Sequence, residues 1–263
     1  MKYKRVLLKV SGEALSGKTP IDFEKATETA LQIKALHDAG CLLGVVVGGG
    51  NIWRGRSGGT MDRSRADNIG MLATAMNALA LEQALIDLNV PVRVLSAVSM
   101  DMFMDSYSAR EANKSVDAGT VVIFACGSGA PFFSTDTASA LRAAQIHADA
   151  LLLAKNVDGI YTADPNVCAE AKRYARISYD EVITKNLKAT DLTAMSFCRE
   201  YSIPMVPSDL LHILSCTSFI FSPTSCKNVY FSKKCRRNCR RSVTEKAIMR
   251  KKEKKLASSQ ADG

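Results

Sequence analysis

Short apolar runs alternate along this chain with longer segments of helical periodicity, and this alternation constrains the fold more than any other feature. The apolar runs cover residues 4–10, 42–47, 92–95, 120–125 and 150–154. Apolar residues recur at helical spacing in the segments 23–39, 67–88, 106–113 and 137–147. Strands joined by helices are typical of a parallel sheet covered on both faces. The sequence therefore predicts an α/β fold, a three-layer αβα sandwich around a mainly parallel sheet.

Three consecutive glycines follow the second apolar run. Val45–Val47 leads directly into Gly48–Gly50, and Arg54 comes four residues later. Without Cβ atoms, a ligand can lie against the main-chain N–H groups, which together bind anions. A plain turn is the alternative for the glycines taken alone.

Ligands of parallel sheets bind in the loops that leave the carboxyl ends of the strands. Four loops of this chain qualify: those after Val10, Val47, Ala125 and Ala154. Each carries glycine or polar residues, and we expect a ligand site where they meet.

One glycine-containing stretch matches the residue pattern of a nucleotide-binding motif but not the structure that the motif requires. Residues Gly12–Thr19 read GEALSGKT, which matches the P-loop pattern G-x-x-x-x-G-K-[ST]. A P-loop needs its lysine and threonine in the first turn of a helix, but Pro20 follows and disfavours helical backbone at Thr19. The run at 120–125 ends in Cys126 rather than in an aspartate that could hold a metal. We therefore reject the P-loop interpretation.

Length and composition are those of a globular protein. With 263 residues, of which 47% are hydrophobic and 23% charged, the chain can form one large α/β domain or two small ones. No uninterrupted apolar run approaches the roughly 18 residues of a membrane span, and the N-terminus shows no signal-peptide pattern. We expect a cytoplasmic protein with no membrane association.

Five stretches together resemble one protein family. They are 9–15 (KVSGEAL), 48–55 (GGGNIWRG), 67–74 (DNIGMLAT), 127–136 (GSGAPFFSTD) and 157–165 (VDGIYTADP). In this order they are similar to the motifs of the bacterial uridylate kinases, which have the amino-acid-kinase fold. Related kinases of aspartate, glutamate or carbamate share the first glycine turns but not the fourth stretch. The resemblance covers residues 4–206 and implies a catalytic domain of residues 1–206.

The resemblance implies an ATP-dependent phosphotransferase that converts UMP to UDP in pyrimidine nucleotide biosynthesis, with ATP as co-substrate and Mg²⁺ as cofactor. The candidate catalytic residues are Lys9, whose cation can bridge the transferring phosphoryl group, and Asp136, which can orient Lys9 or hold Mg²⁺. The implied ATP-binding residues are Lys9, Val10, Ser11, Gly12, Gly50, Arg54, Tyr161 and Asp164.

The implied UMP-binding residues are Gly49, Asp67, Ser128, Gly129, Ala130, Pro131, Phe132, Phe133, Ser134 and Thr135. Without the resemblance, Asp67 would be interpreted as a helix cap and the two phenylalanines as core residues. With it, Asp67 is expected near the ribose, Phe132 and Phe133 beside the base, and Thr135 on the phosphate.

The resemblance also implies a homohexamer that binds UMP and ATP. Two other functions stay open at this point. One is a different kinase of the same fold that acts on a carboxylate substrate. The other is a nucleotide-binding regulator that binds nucleic acid through the basic C-terminal residues 207–263.

The family pattern stops after Val206, and the composition changes with it. Residues 207–263 carry thirteen basic and four acidic residues, whereas the 22 basic and 22 acidic residues of 1–206 cancel. We interpret this tail as out-of-frame sequence that replaces the last strand and helix of the family.

A basic extension that binds nucleic acid is one alternative, which the few aromatic residues and the lack of an RNA-binding motif do not favour. A metal site at Cys216, Cys226, Cys235 and Cys239 is another, but these spacings do not fit a usual zinc pattern.

Overall fold

The computed structural model describes residues 3–54, 59–155, 159–163, 167–168, 170–174, 176–187, 190–209 and 229–230. The strands are β1 (Arg5–Val10), β2 (Leu42–Val47), β3 (Val92–Ser96), β4 (Asp105–Ser106), β5 (Val121–Ala125), β6 (Ala150–Lys155), β7 (Arg176–Ile177), β8 (Met205–Asp209) and β9 (Val229–Tyr230). The helices are α1 (Phe23–Asp38), α2 (Arg63–Asp87), α3 (Ala109–Asp117), α4 (Thr135–Gln145), α5 (Tyr179–Thr184) and α6 (Leu192–Glu200), and a 3₁₀ turn covers Gly12–Leu15.

In the part of the chain that the structure describes, seven strands form one sheet in the order β4-β3-β5-β2-β1-β6-β8. Every neighbouring pair in it is parallel. Strands β7 and β9 form a separate antiparallel pair. The predicted parallel α/β sheet is confirmed.

Side chains of the central strands alternate between two buried clusters, one on each face of the sheet. In β1, Val6, Leu8 and Val10 face the cluster formed with α1 and α2. Leu7 faces the opposite cluster, to which α3, α4, α5 and α6 contribute. This division gives the predicted three layers, because strands buried on both faces bury both sets of alternating side chains.

Two helices begin earlier than the sequence suggests, and both shifts affect the site. Helix α2 begins at Arg63, because Asp62 is its N-cap and accepts a hydrogen bond from the Arg65 N–H. The predicted start at Asp67 is therefore wrong. Helix α4 begins at Thr135 behind the cap Ser134, which places Asp136 in its first turn. Helix α3 begins at Ala109 rather than at residue 106, behind the cap Ser108.

Helix α2 is long and apolar enough to cross a membrane by length and composition alone. Its inner face is buried in the cluster that it shares with α1 and the sheet, where Ala78, Leu81 and Leu85 are fully enclosed. These contacts are those of a core helix.

The edge strand β8 continues past residue 206. It pairs with β6 from Met205 to Asp209, so its last three residues lie beyond the boundary suggested by the sequence. Of residues 210–263, only β9 lies in the described part of the chain.

Candidate active site

The four loops singled out in the sequence leave four adjacent strands of the sheet. Strands β5, β2, β1 and β6 are consecutive neighbours, and Val10 lies directly beside Val47 in the register. Because all four strands are parallel, their carboxyl ends lie at the same edge of the sheet. Residues 156–158 of the last loop lie outside the described part of the chain.

The glycine turn after β2 packs too closely against its neighbours to carry side chains. A Cβ on Gly49 would lie 2.8 Å from the carbonyl oxygen of Gly70 in α2, and one on Gly12 would lie 2.9 Å from that of Gly48. Glycine is needed for this close approach, and not for a left-handed conformation, which neither residue adopts. The turn is therefore pressed between the loop after β1 and helix α2.

Buried amides fix the position of this turn. Nδ2 of the fully buried Asn77 donates to the Gly48 carbonyl oxygen at 2.7 Å and to Asn51 Oδ1 at 2.8 Å. Among the residues that the structure describes, none accepts a hydrogen bond from the main-chain N–H of Gly49 or Gly50. These two donors are suited to bind an anion.

Lys9 and Asp136 form an ion pair that is largely buried. Lys9 Nζ lies 3.1 Å from Asp136 Oδ1, and the two side chains are only 11% and 15% exposed. Asp136 Oδ2 accepts a hydrogen bond from Thr190 Oγ1 at 2.5 Å. The cation of Lys9, at the end of β1, is thus held in a fixed place by Asp136 in the first turn of α4. Asp136 is itself held by Thr190, which lies next to α6.

A second ion pair lies on the open side of the glycine turn. Arg54 Nη2 lies 2.7 Å from Glu13 Oε1, with exposures of 64% and 42%, and Arg54 Nε donates to the Gly50 carbonyl at 3.2 Å. Burial would raise the pKa of Glu13, but hydrogen bonds from its own N–H, from Ser11 and from Arg54 lower it. Glu13 is therefore ionised at neutral pH and pairs with the guanidinium of Arg54.

A third ion pair, Arg63–Asp67, lies within α2, and its carboxylate also binds the loop before α4. Asp67 Oδ2 accepts hydrogen bonds from Arg63 Nε at 2.8 Å and from the Phe132 N–H at 2.9 Å. Burial would raise the pKa of Asp67, but these hydrogen bonds and the charge of Arg63 hold it below its usual value. Phe132 has a φ of 70°, which is unusual for a bulky residue. Asp67 thus holds this loop in a strained conformation.

A pocket of about 210 Å³ opens between the glycine turn, α2 and the residues that lead into α4. Many predicted site residues line it: Gly49, Gly50, Arg54, Asp67, Ser128, Ala130, Phe133, Ser134 and Thr135. Phe132 and Phe133 are mostly exposed, which excludes the alternative that they are core residues.

Other predicted residues are absent from the lining of the pocket in the described part of the chain. Lys9 and Val10 end β1, and Ser11 and Gly12 follow them. Gly129, Pro131 and Phe132 belong to the loop whose other members line the pocket. Tyr161 forms an isolated antiparallel bridge with Arg173, and Asp164 lies outside the described residues.

Several lining residues were not predicted from the sequence. They are Trp53, Arg63, Gly70, Met71, Thr74, Cys126 and Gly127. Four of them follow or precede Asp67 at helical spacing, so the correct start of α2 would have placed Arg63 on the same face. Thr74 accepts a hydrogen bond from the Cys126 N–H at 2.8 Å and connects α2 to the end of β5.

The P-loop match is not a P-loop in the structure. Lys18 and Thr19 are exposed and lie in bends before α1, whose N-cap is Asp22. Lys18 and Thr19 thus lie outside the first turn of a helix, as the sequence predicts.

The molecule is an α/β protein whose parallel sheet carries two main-chain donors, a buried lysine–aspartate pair and a pocket at one edge, and this arrangement is suited to bind phosphate. The model of the amino acid kinase family matches residues 4–206, and the chain belongs to this family.

Solved structures agree with this assignment. The chain is similar to UMP kinase from Ureaplasma parvum, with 37% identity, a TM-score of 0.80 and coverage of 89% of this chain and 100% of that one. It is similar to UMP kinase from Bacillus anthracis, with 36% identity, a TM-score of 0.77 and coverage of 80% and 88%. Aspartate kinase from Synechocystis, at 21% identity and a TM-score of 0.59, covering 78% of this chain and 38% of that one, shares the fold.

Proposed function

We propose that this chain transfers the γ-phosphoryl group of ATP to UMP, giving UDP and ADP. The observation that carries the proposal is the buried Lys9–Asp136 pair. The pair lies next to the pocket, because Asp136 directly follows the lining residue Thr135. The similarity to two UMP kinases at 36% and 37% identity supports UMP as the acceptor.

In this reaction a phosphate oxygen of UMP attacks the γ-phosphorus, and the bond to the β–γ bridging oxygen breaks. Such a transfer requires alignment and neutralisation of charge more than covalent chemistry from the protein. Lys9 supplies a fixed positive charge for the transferring group, and the Gly49 and Gly50 N–H groups are donors for phosphate oxygens. Arg54 offers a guanidinium fork to the same oxygens once it leaves Glu13.

The pocket binds UMP in this proposal. Asp67 accepts ribose hydroxyl hydrogen bonds, Phe133 lies against the base, and Thr135 binds the phosphate. Because Asp67 already accepts the Phe132 N–H, ribose hydroxyls would share or replace that bond.

Mg²⁺ would be held mainly by the phosphates of ATP. Among the described residues, no group of three or more histidine, cysteine, aspartate or glutamate side chains could hold a metal. A single carboxylate, Asp136, fits an ion that binds through one protein ligand and substrate phosphates. Bound there, Mg²⁺ would neutralise phosphate charge.

An ADP-release assay with UMP, CMP, aspartate and glutamate as acceptors tests the proposed function. We expect turnover with UMP well above the other three. Release of ADP with aspartate or glutamate but not with UMP would indicate a carboxylate kinase of the same fold.

Self-association is part of the proposal, with a homohexamer as the expected state. Helix α2 presents Ile69, Leu72, Met76 and Ile86 to solvent on one face. A stripe of this kind can pair with the same stripe of a second copy around a twofold axis. Sedimentation of the chain and of Leu72→Arg measures this, and an unchanged mass for the variant would exclude the stripe as an interface.

We also propose that residues 207–263 contribute no group to the site and that the enzyme acts in the cytoplasm, in pyrimidine nucleotide synthesis. The family match ends at residue 206, which supports the first part. Truncation after Phe231 removes residues 232–263 and tests that part of the tail. It should leave the kcat of the chain unchanged within about twofold, because no residue of 207–263 lines the pocket in the described part of the chain.

A further inference from the structure

Arg142, in the last turn of α4, is a buried charge with no acidic partner among the described residues. It is 3% exposed. Its Nη1 donates to Gln145 Oε1 at 2.7 Å, and its Nη2 donates to the Gly127 carbonyl oxygen at 3.1 Å. Its Nε has no acceptor in the described part of the chain.

Two aromatic rings surround the guanidinium. Its central carbon lies 3.8 Å from the centroid of the Tyr107 ring and 5.9 Å from that of Phe124. The Tyr107 hydroxyl donates to Gln145 Oε1 at 2.6 Å, so the amide that accepts from Arg142 is itself held. Cation–π attraction offsets part of the cost of burial, and burial lowers the pKa of Arg142.

A buried arginine at this position is costly for the fold alone. Burying a charge without an ionic partner is unfavourable, and an apolar side chain of similar size is often more stable in such a place. The residue is therefore best explained by the group that it holds, the Gly127 carbonyl.

Gly127 belongs to the turn that forms one wall of the pocket. Cys126 and Gly127 have φ angles of 59° and 58°, so two successive residues are left-handed. Thr74 holds the Cys126 N–H from α2, and Arg142 holds the next carbonyl from α4. The turn is thus fixed from both faces of the sheet, and Gly127 and Ser128 line the pocket.

We propose that Arg142 is a positioning residue for the acceptor nucleotide: it fixes the Cys126–Ser128 wall of the pocket without touching the substrate. This inference rests on the proposed function, because it assigns the wall to UMP rather than to ATP.

The test compares Arg142→Met, Arg142→Lys and the control Arg199→Met, which removes an exposed arginine on α6 that pairs with Asp180. Arg142→Met should still fold, because it removes a buried charge that lacks an ionic partner, although it leaves the Gly127 carbonyl without this donor. Its KM for UMP should rise about tenfold or more, with KM for ATP changed less than about twofold, because a small shift of one wall disturbs only the ligand it contacts. The KM for UMP of Arg142→Lys should lie between those of the original chain and Arg142→Met, because lysine keeps the charge but not the forked guanidinium. The KM values of Arg199→Met should match those of the original chain.

A folded Arg142→Met whose KM for UMP is unchanged would overturn the inference. So would equal increases in both KM values. If Arg142→Met does not fold, Arg142→Lys decides: an unchanged KM for UMP there is equally contradictory.

Amide hydrogen exchange without substrate separates this inference from the proposed function. Exchange at residues 126–133 should be faster in Arg142→Met than in the original chain, with β1 unaffected. If the original chain does not phosphorylate UMP, the proposed function fails on its own. Unchanged exchange at 126–133 would show that Arg142 does not order the wall.

Discussion

Among the described residues, three ion pairs of the same chemical type lie in the site, each in a different environment. Lys9–Asp136 is nearly enclosed, Arg63–Asp67 is enclosed on its acidic side only, and Arg54–Glu13 is open to solvent. The first is held between a strand end and a helix start, whereas the last lies beside a loop. From this difference we expect the enclosed pair to be in place before a ligand arrives and the open pair to change partner when the ligand binds.

Electrostatic strength follows this order. An exposed pair is worth about 0.2–1 kcal/mol, because water and salt screen it. A cation in a water-poor site stabilises developing charge more strongly, since no solvent must reorganise. Effects of substitution should therefore decrease from Lys9 to Arg54.

The largest effect is expected for Lys9→Met. Loss of the fixed cation should lower kcat by roughly 10²–10³-fold, while KM for UMP changes little. The matched control is Lys25→Met, which removes a surface lysine that pairs with Glu28 on α1 and should leave kcat unchanged. A Lys9→Met enzyme with more than a tenth of the original kcat would show that Lys9 does not take part in the reaction.

An intermediate effect is expected for Asp67→Asn, which keeps the shape of the side chain but not its charge. KM for UMP should rise roughly tenfold to a hundredfold, because a hydrogen bond to a charged group contributes about 1.5–3 kcal/mol. Steady-state kinetics at saturating ATP measures it, with Asp38→Asn on α1 as the control. A rise in the KM for ATP instead would indicate that Asp67 binds ATP rather than UMP.

A small effect is expected for Glu13→Gln. Removing the competing carboxylate frees Arg54 for phosphate, so KM for ATP should fall about twofold to fivefold, the value of an exposed pair. The difference should shrink at high salt. A higher KM for ATP in the variant would mean that Glu13 assists binding rather than competing with it.

The smallest effect is on stability in acid and concerns Asp67. Because hydrogen bonds lower its pKa in the folded chain, its contribution is present above the unfolded value, near 3.9. That contribution is lost as the pH falls through the lower folded pKa. The stability difference between the original chain and Asp67→Asn should thus be constant from neutral pH to about pH 5 and shrink below about pH 4. A difference that disappears already at pH 6 would contradict the lowered pKa.

The sheet and its layers could be predicted because their signals are local. Short, mostly apolar runs predicted the strands β1, β2, β5 and β6 within one or two residues. The start of α2 could not be found in the same way, since Asp62 caps it before any apolar residue. The helix opens with the polar residues Arg63, Ser64 and Arg65, which in the sequence resemble a loop.

The contacts within the site depended on tertiary structure. Asp136 could be proposed as a partner of Lys9 from the resemblance, but Thr190 and Arg142 belong to no recognised motif. Thr190 contacts Asp136 only in the folded chain. Arg142 meets the Gly127 carbonyl only when α4 packs on the sheet. Likewise, the sequence offered no sign that Glu13 would occupy Arg54.

Direct transfer of labelled phosphate tests the central claim most sharply. The chain, incubated with UMP and ATP labelled at the γ-phosphorus, should release the label as UDP, and Lys9→Met should do so at least about a hundredfold more slowly. Label that remains in ATP, or that appears only as inorganic phosphate while UMP is unchanged, would contradict the account.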